Sequence, residues 1–131
     1  MRSMGAVTFL VRDYDEALTY FTHVLGFKLL EDKPLGEGKR WILVCPDSGA
    51  ALLLARATRE QDAHIGNQTG GRVAFFLHTD DFERDHEAMK ARGANFIEEP
   101  RHETYGTVAV FLDLYWNKWD LVELRARRLP D

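Results

Sequence analysis

The chain has 131 residues, of which 45% are hydrophobic and 29% charged, a composition that excludes a disordered chain. A formal net charge of −4 gives no broad attraction to nucleic acid or anionic lipid, and no apolar stretch approaches the roughly 20 residues needed to span a bilayer. The N-terminus lacks the charged, apolar and cleavable segments of a signal peptide, and the single Cys45 cannot form an internal disulfide, so the cytoplasm is the expected compartment.

Val7-Thr8-Phe9-Leu10-Val11 reads as a β-strand, because β-branched and aromatic residues dominate it. A helix is expected next. Asp13 precedes Glu16 at capping-box spacing, Leu18, Phe21 and Leu25 recur at helical spacing, and Gly26 tolerates a left-handed end. Phe27 to Asp32 reads as a short strand running toward Pro34, and Arg40 to Cys45 and Ala50 to Arg56 as two more. Cys45 falls within an apolar strand pattern and reads as a buried structural thiol. Residues 57–71 form a connector that opens with a short helix capped by Thr58 and ends in a glycine-rich run. That run lacks the Lys-Ser/Thr ending and the following helix of a phosphate loop.

The pattern then starts again. Val73-Ala74-Phe75-Phe76-Leu77 lies at an offset of 66, from 7 to 73, and Pro100 stands at the same offset from Pro34. Asp80 with Glu83 repeats the cap, Phe82 and Met89 mark one helical face, and Gly93 ends the helix. Ala94 to Glu99, Gly106 to Leu112 and Lys118 to Leu124 complete the strands, so both halves read β-α-β-β-β. One domain is expected, with modules at about 5–56 and 72–124, and Arg125-Ala126-Arg127-Arg128 as part of a short solvated tail over 125–131.

Strand alternation assigns the faces. Phe9, Val73, Phe75, Leu77, Trp119 and Leu121 belong on the helix side. Ala6, Thr8, Leu10 and Arg12, then Arg72, Ala74, Phe76 and His78, then Lys118, Asp120 and Val122, belong on the other. No two of the five histidines have the i, i+4 spacing of a helical metal site.

Val11-Arg12-Asp13 leading into Asp15-Glu16-Ala17, Tyr20-Phe21 with Leu25-Gly26-Phe27, Asp113, and Asn117 to Leu124, in this order within a tandem repeat, resemble the vicinal-oxygen-chelate superfamily over about residues 6–124. That superfamily includes glyoxalase I, bleomycin-resistance proteins and extradiol dioxygenases. The resemblance implies an α+β fold: tandem βαβββ modules whose sheets form an open, barrel-like concavity with helices outside. It also implies a ligand in the concavity and a homodimer.

In metal-dependent members of the family, the first and last strands of each module supply His or Glu ligands. Carried onto this chain, those positions are Ala6, Arg72, Leu54 and Asp120, and residues 48–55 contain no carboxylate or histidine. One carboxylate cannot hold a catalytic ion. No metal or other cofactor is therefore expected, a divalent metal being the alternative. The resemblance brings Arg72 and Asp120 together, either as a cationic subsite or as a structural ion pair.

The ligand-binding candidates are Arg72, Asp120, Thr8, Phe76, Trp41 (beside Arg40), Tyr105 and Trp116. The last stands in the turn Asp113-Leu114-Tyr115-Trp116-Asn117, where family members often read Asp-Pro-Asp-Gly. The expected function is binding of a small organic molecule, as bleomycin-resistance proteins do. The alternatives are a metal-dependent lyase, isomerase or dioxygenase with a non-standard site, and a metal-free enzyme using Asp120 or a loop histidine as base. No catalytic residue is assigned.

Overall fold

In a computed structural model that describes residues 1–125, the first strand is β1 (Ala6–Val11). The tail residues Ala126, Arg127 and Arg128 lie outside the described residues. α1 (Tyr14–Thr19) follows, and its last turn widens into a π-helical segment over Tyr20–Val24. Asp13 caps it as expected, accepting a hydrogen bond from the Glu16 amide at 2.8 Å. Then come β2 (Lys28–Gly36), β3 (Lys39–Cys45) and β4 (Ala51–Arg56), and the sheet order is β1-β4-β3-β2 with β1 and β4 parallel. β2 runs through Pro34 instead of stopping before it. It is an edge strand, where a residue without an N–H costs no ladder bond.

The first core lies between this sheet and α1. Phe9, Val11, Phe21, Ile42, Val44 and Leu54 are all 0% exposed, and Phe9 meets Phe21 edge-to-face at 5.1 Å. Each such large side chain stabilises the fold by roughly 1.5–3 kcal/mol relative to exposure. Cys45 is buried, as expected of a structural thiol.

The connector contains a 3₁₀ helix, Arg59–His64, whose Thr58 amide donates to the Gln61 side chain at 3.0 Å. Beyond it Gln68 does something the sequence did not announce. Its Oε1 accepts from the Leu10 amide at 2.6 Å and its Nε2 donates to the Thr8 carbonyl at 3.0 Å. One side-chain amide thus stands in for a neighbouring strand along the edge of β1.

The chain divides into two compact units between Gly70 and Gly71. The second unit comprises β5 (Val73–His78), α2 (Phe82–Ala91), β6 (Asn95–Phe96), β7 (Arg101–Glu103), β8 (Gly106–Leu112) and β9 (Lys118–Leu124). The sheet order is β5-β9-β8-β6, with β7 also on β8. The cap of α2 is Asp81 and not Asp80. Its carboxylate accepts from the Arg84 amide at 3.1 Å, while Asp80 holds the Arg84 guanidinium.

The expected strand over Ala94 to Glu99 shortens to Asn95–Phe96, the Ile97 amide still donates to the Val110 carbonyl at 3.0 Å, and the next strand begins at Arg101. Pro100 has no N–H to give, and the Glu98 side chain takes the place of a backbone carbonyl by accepting from the Val110 amide at 3.0 Å.

Under α2 the core is a chain of rings. Phe82 stacks on His86 (5.1 Å), His86 meets Phe96 (4.4 Å), and Phe96 meets Phe111 (5.3 Å). Phe111 stacks on Trp119 (5.6 Å), which meets Phe75 (4.5 Å). Trp119 and Leu121 are 3% and 1% exposed, so alternation placed both correctly. Gly106, at φ +154°, lies so close to β9 that a Cβ would sit 2.1 Å from the Glu123 carbonyl oxygen. No helix among the described residues is long and apolar enough to cross a membrane.

Candidate functional site

The face of the second sheet away from α2 carries Asp120. Its first row is set by register: Phe76 on β5 lies beside Asp120 on β9, which lies beside Val110 on β8. The next row is His78, Val122, Val108 and Arg101. Neighbouring rows on one face are about 7 Å apart along a strand.

β5 contains an irregularity between Val73 and Phe75 that places an extra residue, Ala74, on its side of the ladder. The expected Arg72–Asp120 neighbourhood is corrected by this register. Phe76 holds the place beside Asp120, and Arg72 stands four residues upstream, just before β5, roughly 13 Å away along the strand. Arg72 and Trp116 share one end of the sheet, the end where Val73 pairs with Lys118.

Asp120 is half-buried. Its Oδ1 is enclosed without a hydrogen-bond partner among the described residues. Burial pushes this carboxyl group above the usual carboxylate range, Arg101 opposes the shift and Glu98 adds to it. Arg101 is the organising cation here, donating to Glu98 at 3.0 Å and Glu103 at 2.8 Å. Those two bonds raise its pKa further, so it stays charged, and Tyr105 adds to the same effect. Tyr105, in the β7–β8 turn, is 47% exposed, and Phe76 is 61% exposed. The structure therefore gathers Asp120, Phe76 and, through Arg101, Tyr105. Glu98 and Arg101 were not among the expected site residues. Their only signal was the Glu-Glu-Pro-Arg run at 98–101, whose proline breaks the strand and frees the Glu98 carboxylate for the sheet.

Trp116 owes its place to a neighbouring turn. Asp113, 5% exposed, accepts from the amides of Tyr115 (2.8 Å) and Asn117 (3.1 Å), from Asn117 Nδ2 (2.9 Å) and from Trp119 Nε1 (2.9 Å). Burial nonetheless pushes its carboxyl group up. The clamp leaves Trp116 at φ 73° with 69% of its surface exposed, a rare conformation for a bulky residue. Tyr115 turns inward and is buried.

In the first unit, Thr8, Leu53 and Leu43 form a row on the face away from α1, and Trp41 projects from that face with 37% exposure. Leu54, expected at the fourth ligand position, is fully buried on the helix side, and Leu53 occupies the other face. Arg40 points opposite to Trp41. It donates to Asp32 (3.2 and 2.7 Å) and Asp15 (2.8 Å) and lies over the Tyr14 ring, which makes it a brace between β2, β3 and α1.

A metal would need donors that these residues do not supply. Ala6 and Leu53 or Leu54 are apolar, Arg72 is a cation, and Asp120 is one carboxylate. Among the described residues, no three His, Cys, Asp or Glu side chains gather closely enough to hold an ion. The donor set does not fit the family's divalent metal.

On the α2 side, a groove of about 390 Å³ runs between His86, Lys90, Phe96, Ile97, Glu98 and Glu99. His86 Nε2 is buried there without a hydrogen-bond partner among the described residues, and burial, reinforced by Lys90, lowers the ring's pKa.

A family model described as Glyoxalase/Bleomycin resistance protein/Dioxygenase superfamily matches residues 3–121. An uncharacterised protein of Shewanella frigidimarina is 47% identical over 131 residues, covering 97% of each chain. Among solved structures, UcmS2 is 30% identical with a TM-score of 0.79, covering 93% of this chain and 98% of its own. TnmS3, an antibiotic binding protein from Streptomyces sp. CB03234, is 24% identical with a TM-score of 0.77, covering 95% and 98%.

Proposed function

The chain belongs to the Glyoxalase/Bleomycin resistance protein/Dioxygenase superfamily, and on that footing we propose that it binds a small organic molecule on the face of the second sheet away from α2, without a resident metal. The observation that carries this reading is the row of Phe76 and Asp120: a largely exposed aromatic ring beside a half-buried carboxylate, one oxygen of which has no hydrogen-bond partner among the described residues. An exposed ring supplies flat apolar contact, and a few polar groups around it supply orientation.

The fold is one that TnmS3, an antibiotic binding protein, also uses. The donor set argues against routing recognition through a divalent ion. Asp120, Phe76 and Tyr105 are the contacts of this reading, with Arg101 and Glu98 fixing the polar edge. Arg72 and Trp116, which share one end of the same sheet, are further contacts assigned to the ligand. The protein acts as a homodimer in the cytoplasm, the dimer resting on family habit and the compartment on its single buried Cys45.

Two measurements test the reading. Metal analysis of the purified protein, with thermal shifts in Ni, Zn, Mn and Fe(II), is expected to give neither stoichiometric metal nor a shift of several degrees at micromolar ion. A panel of aromatic small molecules is expected to raise the melting temperature of the wild type but not of Phe76→Ala. Stoichiometric metal refutes the metal-free part, and equal protection of both proteins refutes the assigned face.

A further inference from the structure

We infer that the ligand of this face is an aromatic molecule carrying a hydrogen-bond donor, a hydroxyl or amine hydrogen, which it gives to the Asp120 carboxylate. The inference rests on the small-molecule reading above and adds the polarity of recognition. In the metal-dependent relatives that the sequence resembles, the protein supplies a positive centre and the ligand supplies oxygen lone pairs. Here the corresponding group is an acceptor that lacks a donor, so the roles are reversed.

Three observations converge. An ionised carboxylate is acceptor-only, and Asp120 Oδ1 is enclosed without a donor among the described residues. The polar groups around it have commitments of their own. Glu98 accepts from the Val110 amide and from Arg101, both at 3.0 Å, and Arg101 also donates to Glu103 at 2.8 Å. The unmet demand in this cluster is therefore for a donor. The side chains flanking Asp120 across the strands are Phe76 and Val110, which offer flat apolar contact and no competing hydrogen.

Oδ1 is enclosed in the free protein, and the broad terminal torsion of an aspartate lets it turn outward to meet a molecule lying on Phe76. A donor placed there removes the cost of the orphan acceptor. A ligand with only acceptors leaves that cost in place and sets lone pair against lone pair.

The test uses three probes of one ring system, 2-naphthol, 2-naphthylmethylamine and 2-methoxynaphthalene, titrated by ligand-detected NMR against wild type, Asp120→Asn and Asp120→Val. The two donors are expected to bind wild type at least about tenfold more tightly than the methyl ether. Asp120→Val is expected to erase that ratio while the ether still binds. Asp120→Asn, whose amide offers both a donor and an acceptor, is expected to reduce the ratio, and it covers the case of a poorly folded valine variant. Equal binding of all three probes by wild type, or a ratio that survives Asp120→Val, overturns the donor inference and leaves the small-molecule reading standing. Binding of none of the probes overturns both.

Discussion

Replacing Asp120 by valine removes a half-buried carboxylate whose Oδ1 is enclosed without a hydrogen-bond partner among the described residues, and it inserts a β-branched residue into β9 between Phe76 and Val110. An orphaned buried acceptor costs roughly 1–3 kcal/mol, and the attraction to Arg101 across a half-exposed face returns at most about 1 kcal/mol. The net expectation is stabilisation by about 1–2 kcal/mol. For 131 residues the unfolding entropy is on the order of 0.28 kcal/mol/K, so the melting temperature rises by about 4–7 °C at pH 7.

The pH dependence gives the sharper check. The folded carboxyl group titrates above its ordinary 3.8 because burial disfavours the charged form. Its contribution to wild-type stability is thus fully present below pH 3.8 and is lost as pH rises through the folded value. The advantage of Asp120→Val should therefore be small near pH 4 and grow toward neutrality. Calorimetric melts of both proteins between pH 4 and 7 measure this. A variant that melts below wild type at pH 7, or an advantage that does not change with pH, refutes the account of Asp120 as an uncompensated charge.

Asp113→Asn would turn an amide NH₂ or leave a missing charge toward donors that now share the carboxylate, and a loss of about 2–4 kcal/mol in urea unfolding is expected. A loss under about 1 kcal/mol would show that the clamp is not what holds the β8–β9 turn. Gln68→Ala strips the Leu10 amide and Thr8 carbonyl of their partner, which should cost about 1–2 kcal/mol and speed hydrogen exchange at the Leu10 amide. Unchanged exchange there would mean the edge is covered some other way. The His86 ring titrates below its ordinary 6.5 in the folded state, so stability holds above pH 6.5 and declines as pH falls through 6.5 toward the folded value. His86→Phe should flatten that decline in melts recorded between pH 7 and 5, and an unaltered slope assigns it to other groups.

The helix side of both sheets was legible because its rule is local. Alternation placed Phe9, Trp119 and Leu121, helical spacing placed Phe21 and Leu25, and each is buried. The family, too, followed from the order of motifs and the 66-residue repeat. The opposite faces were harder to read, because register decides them. Arg72 was expected beside Asp120 from the family resemblance alone, and the ladder gives that place to Phe76, four residues further along β5. The Glu98 and Arg101 pair escaped notice because a strand was read straight up to Pro100. The bond from the Val110 amide to the Glu98 side chain depends on that strand stopping early. Asp81 displaced Asp80 as the cap for a similar reason, since two adjacent aspartates satisfy the same motif and only backbone geometry separates them.

The alternation of β5 has a bearing on how such a protein can change. Past Ala74, Phe75 meets Trp119 at 4.5 Å on the helix side, while Phe76 lies beside Asp120 on the other. Interior and exterior are thereby kept apart. A lineage can redraw what the outer face recognises, substituting at 76, 78 or 120, without asking the aromatic chain beneath α2 to repack. Substitutions at those three positions should be tolerated in many combinations, while those at 75, 111 and 119 should not.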